Sequence, residues 1–442
     1  MAEDAVAAKR RRWRTGGGGD DIMSALPDHV LHEVLSRVGT VKDQFMLAVT
    51  CRRWLGRFTD RAFLRDIVCP GQGQVLLGFF LQDALQRATV WARGPSQLAS
   101  SCLFVPVPGS PLGPGPTARA LTSSLVADGG GAFDYAVPLG ARRGIVLMQC
   151  INNCHGDTEL LLGVCNPVTG ERHLLVPLDM EPTSICAYAI ITAADVHADA
   201  AGSARFTFSH LLVANFRKDI YLYSAATRSW SHRCVVDDGR SFHLTGERSA
   251  VVHQGAAHWL FWCHDTGSRY DDDPSLYKLS VQLGGGAAGP ICSAAFTRIP
   301  GRVSRDPLLC VTGDGKLAVV YVYISHVAVF TCPQQQQTGG HVEVVAWEKT
   351  VFTIPAAVPY PPWVLPPKET WFHLSRGSML AIYRSSAVFI VDLHRKTLEK
   401  VMDCFLPLFK HKKNRTAVPY EMDLVDFFML KLGALSSAGP SG

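Results

Sequence analysis

A glycine followed at once by an apolar, strand-length run recurs along this chain at a nearly fixed interval. The runs are Gly144-Ile145-Val146-Leu147-Met148, Gly255-Ala256-Ala257-His258-Trp259-Leu260, Gly315-Lys316-Leu317-Ala318-Val319-Val320 and Gly377-Ser378-Met379-Leu380-Ala381-Ile382. A looser copy joins Gly202 to Arg205-Phe206-Thr207-Phe208. The five glycines stand 58, 53, 60 and 62 residues apart. Between them lies a second theme, a strand, a polar turn and another strand, at 161–177, 220–236 and 388–404. Asn166-Pro167-Val168-Thr169-Gly170 has the residue types such a turn needs. An all-β repeat of this length points to a radial array of four-stranded sheets rather than a sandwich. About 370 residues at roughly 60 per repeat predicts an all-β propeller of six blades over 70–433, with seven the next choice. Further strands are expected at 74–82 and 102–107, with a Pro/Gly loop at 109–116. The apolar run 424–432 is expected to pair back with the first blade, because closure removes edge strands.

The stretch before the repeats has a different period. In 26–38, Val30, Leu31, Val34, Leu35 and Val38 fall on one helical face. Pro27 suits the first turn, Asp28 and Glu33 favour the positive end of the dipole, and Gly39-Thr40 stops the helix. A second helix is expected over 41–49, with Phe45 and Val49 four apart, and a third carrying Trp54, Leu55 and Phe58. Phe63, Leu64 and Ile67 close a helical domain over 22–67. Three short helices are near the lower limit for an independent core. Such a unit is expected to finish its core against a partner protein or against the domain that follows.

Composition narrows the function classes. Hydrophobic residues make up 47% of the chain and charged residues 18%, which is globular rather than disordered. A net charge of +5, with basic runs only at 9–14 and 411–415, predicts no nucleic-acid surface. Residues 1–21, with Gly16 to Gly19 as spacer, and 434–442 are expected to be disordered tails. Lys9-Arg10-Arg11-Arg12 reads either as a nuclear import signal or as a solvated basic tail. The thirteen cysteines have no Cys-x-x-Cys pair, and no second pair completes a zinc site with Cys150, Cys154 and His155. Free thiols, no apolar signal core and no membrane-length run predict a soluble protein of the nucleus or cytoplasm, without a membrane partner. No catalytic constellation, metal site or cofactor motif emerges. Gly313-Asp314-Gly315-Lys316 reads as a hairpin turn, 271–273 as a solvated loop, and His253, His258 and His264 as half-buried imidazoles on one hairpin. The tryptophans are expected mainly between blades. The Pro-stiffened loop 358–367 offers Tyr360 and Trp363 as candidates for binding a partner.

Leu26-Pro27-Asp28, the apolar helix through Leu35 and Val38, Asp43, Val49 and Arg53-Trp54 together resemble an F-box over 24–66. Many members carry proline where this chain has Gly39. LLGFF at 76–80, the CNPVTG turn, GAAHWL and YEMDLVDFFMLKLG at 420–433 are similar to a plant F-box-associated β-propeller domain. The resemblance implies a three-helix F-box docked on a Skp-type adaptor, linked through it to a cullin–RING ubiquitin ligase, with the propeller capturing an unknown protein substrate. It implies adaptor contact by Leu26, Pro27, Val30, Leu31, Val34, Leu35 and Val49, a supporting core of Val38, Phe45, Trp54 and Phe58, and an adaptor that finishes the apolar surface. Such a substrate receptor has no catalytic residues or cofactor of its own and acts by proximity. The alternative is a scaffold, or a protein- or carbohydrate-binding module, whose F-box is degenerate. An enzyme of propeller type would need clustered acids or metal-ligating histidines at the ring's centre.

Overall fold

The computed structural model describes residues 27–38, 41–50, 52–68, 74–83, 103–108, 110–112, 133, 136–150, 160–180, 185–196, 208–215, 219–234, 242–245, 248–263, 275–283, 291–299, 307–323, 326–331, 347–353, 370–373, 379–384, 387–403 and 415–437. They fall into two compact units, one of the described residues before 73 and after 423, the other within Gly73–Asp423. The helices are α1 (Asp28–Ser36), α2 (Val41–Ala48), α3 (Arg52–Phe58), α4 (Arg61–Phe63), the single turn α5 (Ala193–Val196) and α6 (Leu424–Ser437). Gly202, Gly377, His264, Tyr360, Trp363, the 271–273 loop and the expected tail up to 21 lie outside the described residues; of the tail expected over 434–442, residues 434–437 are helical, as the end of α6, and those from 438 lie outside.

The first unit is helical and is built from two distant parts of the sequence. Pro27 precedes α1, and its carbonyl accepts from the Val30 N–H at 3.0 Å. Asp60 caps α4, its Oδ1 accepting from Ala62 N at 2.9 Å and Phe63 N at 3.3 Å. A π-helical turn, Leu64–Val68, follows. Leu35, Ala48, Trp54, Phe58, Phe63, Leu64 and Val68 are buried. To these α6 adds Leu424, Val425, Phe427, Phe428 and Leu432, all buried. Phe428 lies 5.3 Å from Phe58 and 5.9 Å from Phe45 between ring centroids, and Phe427 lies 5.8 Å from Phe45. Arg61 pairs with the buried Asp426 at 2.9 Å.

This corrects one expectation. Residues 424–432 do not form the closing strand. They form a helix, and a long apolar run without strict alternation is ambiguous between the two on periodicity alone. The helical core is filled from within the chain, by α6. Each of these apolar side chains contributes roughly 1.5–3 kcal/mol when buried, so the short helices gain from α6 what their own sequence lacks.

The second unit is a six-bladed β-propeller. Its full blades are β3 to β6 (Val137–Arg142, Ile145–Cys150, Leu161–Asn166, Glu171–Leu174), β7 to β10 (Ile185–Thr192, Phe208–Asn215, Asp219–Ser224, Ser229–Cys234), and β11 to β15 (Phe242–Thr245, Val251–His253, Ala256–Cys263, Ser275–Leu283, Ile291–Ile299). Two more follow: β16 to β19 (Leu308–Val311, Leu317–Val322, His326–Thr331, Glu348–Thr353) and β20 to β23 (Thr370–His373, Met379–Arg384, Ala387–Asp392, Thr397–Asp403). Within each, neighbouring strands are antiparallel, and β11 and β12 share β13 as partner. The sixth sheet closes the ring. Here β24 (Arg415–Asp423) pairs along β1 (Gln74–Asp83), which pairs with β2 (Leu103–Pro106). Closure thus uses the stretch just before the one expected.

Alternation explains how strands buried on both faces hold the ring. On β17, Leu317, Val319 and Tyr321 enter the core shared with the preceding blade, while Ala318, Val320 and Val322 enter the core shared with the next. Similar clusters join β3–β6 to β7–β10, β7–β10 to β11–β15, and β20–β23 to the closing sheet. The recurrent glycines fall where the sequence places them: Gly144, Gly255 and Gly315 have φ of +79°, +72° and +77°, each turning the chain into the blade's next strand. The second theme is the turn between a blade's last two strands. Asn166 Oδ1 accepts from Val168 N at 3.0 Å, and Asp392 Oδ1 from His394 N at 2.9 Å. These four-residue turns end at Gly170, Arg228 and Lys396, all with positive φ.

Candidate interaction surfaces

In the helical unit the large apolar side chains left outside the core are Val34 at 37% exposure, Met46 at 56%, Val49 at 42% and Leu430 at 37%, among the described residues. Met46 lies in the last turn of α2 and Val49 just after its end. Two of the residues expected at a docking surface, Val34 and Val49, are therefore available. Pro27 is exposed and Val30 half-buried. Leu35 is only 4% exposed and belongs to the core, so its side chain is not offered to a partner. Leu26 and the Leu31 side chain lie outside what is described. Of the expected core, Trp54 and Phe58 are fully enclosed, with rings 6.0 Å apart. Val38 and Phe45 are half-buried, and Phe45 is held between Phe427 and Phe428. Met46 was not among the expected docking residues. The signal for it was its three-residue offset from Val49.

In the propeller, polar chemistry gathers at the turns between the first and second strands of the blades. Arg142, at the end of β3, donates Nη1 to Asp195 Oδ2 at 2.6 Å and Nη2 to Oδ1 at 2.8 Å. The same Nη1 reaches the Ile190 carbonyl at 3.0 Å. Arg143 Nη1 lies 3.3 Å from Asp195 and donates to Thr192 Oγ1 at 2.9 Å. Thr192 N and Oγ1 both donate to Asp195, at 2.9 and 2.8 Å. Burial works against the Asp195 charge, but the Arg142 hydrogen bonds, both guanidinium charges and the Thr192 N–H outweigh it and hold the carboxyl down at about 2. This buried pair ties β3 to the end of β7 and so staples two blades.

Two interfaces along, the His253 ring is hydrogen-bonded to the Gly315 backbone, and the His258 ring to the His253 backbone. His258 Nδ1 lies 2.9 Å from Ser280 Oγ. Burial, then Lys278 and His253, push His258 down to about 4, so its imidazole is neutral near pH 7; burial lowers His253 as well. A narrow crevice beside them is lined by Thr245, Ser249, His258, Trp259, Pro307 and Leu309. Trp259 donates Nε1 toward the carbonyls of Tyr188 and Arg248, at 3.3 and 3.2 Å, so it is an inter-blade residue as expected. Burial pushes the Cys165 and Cys310 thiols up to about 12 and Cys186 to about 11, which leaves them protonated and poor nucleophiles. Among the described residues, no group of three or more His, Cys, Asp or Glu side chains is arranged to hold a metal ion. No described helix is long and apolar enough to cross a membrane.

No family model matches the chain, and no curated protein matches it. Solved structures similar to it include the WD40 domain of SCAP from fission yeast, with 9% identity and a TM-score of 0.30, covering 60% of this chain and 55% of that one. The β-propeller domain of Cps50 (Swd1) from Myceliophteria thermophila has 10% identity and a TM-score of 0.32, covering 62% and 88%. The oligogalacturonate lyase from Vibrio parahaemolyticus has 10% identity and a TM-score of 0.30, covering 75% and 87%. Likeness this distant says nothing of what the chain binds.

Proposed function

We propose that this chain is a non-catalytic interaction protein, in which the propeller loops hold one protein and the helical unit docks on another. One observation carries the reading. The helical unit has α6 to fill its core and still leaves Val34, Met46 and Val49 between 37% and 56% exposed. Exposed apolar side chains of that size, on α1, on α2 and just after α2, are the kind that the centre of a docking face uses. The propeller offers rigid strands and long connections, which is how loops are held in place for binding.

A finer reading makes the docked protein a Skp-type adaptor and the chain a substrate receptor of a cullin–RING ubiquitin ligase. It is supported by the F-box resemblance and by the exposure of Val34 and Val49, two positions to which that resemblance gives adaptor contact. Recruitment then raises the local concentration of a target near the ubiquitin-charged enzyme, with no chemistry supplied by this chain. The test is binding of purified adaptor to the intact protein and to a Val34→Asp/Val49→Asp variant. A carboxylate at each position is expected to weaken binding at least 100-fold while thermal unfolding is unchanged. If the unmodified protein does not bind adaptor, the scaffold reading stands and the ligase reading falls. If the variant binds as well as the unmodified protein, this face is not the docking face.

A further inference from the structure

The helical unit is discontinuous in sequence. Its two parts, 28–68 and α6, are separated by every strand of the propeller. Among the described residues, seven buried apolar side chains come from the first part and five from α6. The five are not peripheral. Phe428 touches the rings of both Phe45 and Phe58, and Phe58 in turn contacts Trp54 and Phe63. The buried Asp426 carboxylate meets the Arg61 guanidinium directly after the α4 cap. Without α6 the rings of Phe45 and Phe58 lose an apolar neighbour, and Arg61 loses its counter-charge. Short helices in water do not persist without an apolar face to rest on.

We propose that α6 is a folding licence for the docking unit: the α1–α4 segment is synthesised first but becomes a stable helical unit, presenting Val34, Met46 and Val49, only after the propeller has been made and α6 has followed it. A chain interrupted anywhere in the propeller carries the docking sequence but not the docking surface, and is kept from occupying the partner. The folding half of this inference needs no partner; the consequence for docking rests on the reading given under Proposed function.

The test is amide hydrogen exchange read by mass spectrometry on three proteins: the intact chain, the chain ended after Asp423, which keeps β24, and the intact chain with Phe427→Ala/Phe428→Ala. In the ended chain, amides of 28–68 are expected to exchange at least 100-fold faster than in the intact chain, while those of β7, β13 and β17 keep their protection. The double variant is expected to show the same pattern in weaker form. Adding a synthetic peptide of residues 424–442 to the ended chain is expected to restore protection of 28–68 saturably. Unchanged protection of 28–68 in the ended chain would overturn the proposal. So would equal loss in both units, because α6 would then be a support of the ring. If protection behaves as expected but the intact chain fails to bind adaptor, the licence stands and only the ligase reading is lost.

Discussion

Gly144 closes the propeller at the scale of a single residue. Its N–H donates to the Glu421 carbonyl at 2.8 Å, and its own carbonyl accepts from the buried Tyr420 hydroxyl at 3.2 Å. Burial raises the Tyr420 pKa well above its usual value, so the hydroxyl stays a donor. A Cβ added at Gly144 would lie 2.9 Å from Met422 Cε, on a backbone with φ +79°. The Met422 thioether end can move aside, so Gly144→Ala is expected to destabilise the propeller by about 1–2 kcal/mol, chiefly from the positive φ, measured by urea unfolding of the intact chain. Lys396 is the opposite case. It holds φ +58° at the place that Gly170 holds, with φ +80°, in another blade. Lys396→Gly should raise stability by roughly 1 kcal/mol in the same assay, because glycine adopts that conformation without a Cβ clash.

At the scale of the element, the hairpin of β12 and β13 couples stability to pH. Its His258 has a folded pKa of about 4 against an ordinary 6.5. Below 6.5 the unfolded chain takes up a proton that the folded chain refuses, so stability falls as pH drops from about 6.5 toward 4 and is fully present above 6.5. The contribution is up to about 3 kcal/mol for a shift of that size. Urea midpoints followed from pH 7.5 to 4 should fall more steeply for the natural chain than for His258→Gln. Equal slopes would mean that this imidazole is not held neutral. Asp195 acts lower, its contribution being lost as pH falls through about 4 toward 2. The two groups are at different blade interfaces, so acid should loosen the histidine interface first.

At the scale of the whole molecule, two units of unlike stability are expected to share one chain. The propeller is held by alternating cores that run from sheet to sheet, with β24 and β1 as the seam. The helical unit has a smaller apolar core, joined across its two parts by the Phe45, Phe58, Phe427 and Phe428 rings and by the Arg61–Asp426 pair among the described residues. This is why the exchange experiment separates them, and why a docking variant at Val34 and Val49 leaves the rest folded. It also sets a boundary on design: the Leu35 side chain belongs to the core. A Leu35 variant would test folding, whereas Val34 and Val49 variants test binding.

The repeat by itself determined the propeller. Glycine at a positive-φ turn and a two-sided apolar strand are local requirements, and they recur at Gly144, Gly255 and Gly315, each opening an apolar strand. The turn at 166–170 and its counterpart at 392–396 were readable for the same reason, since Asn166 and Asp392 act on amides two residues away. So were α1 to α3, from period and from Trp54. What only the tertiary structure decided depends on residues far apart in sequence. Phe427 and Phe428 look the same whether they complete a sheet or a helical core, and only Phe45 and Phe58 across the unit distinguish the two. The Arg142–Asp195 staple spans 53 positions and has no period to betray it. Leu35 and Val34 are neighbours on one apolar helix, yet only the folded unit shows which of them is core and which is surface, because successive helical side chains point about 100° apart and the apolar period allows either.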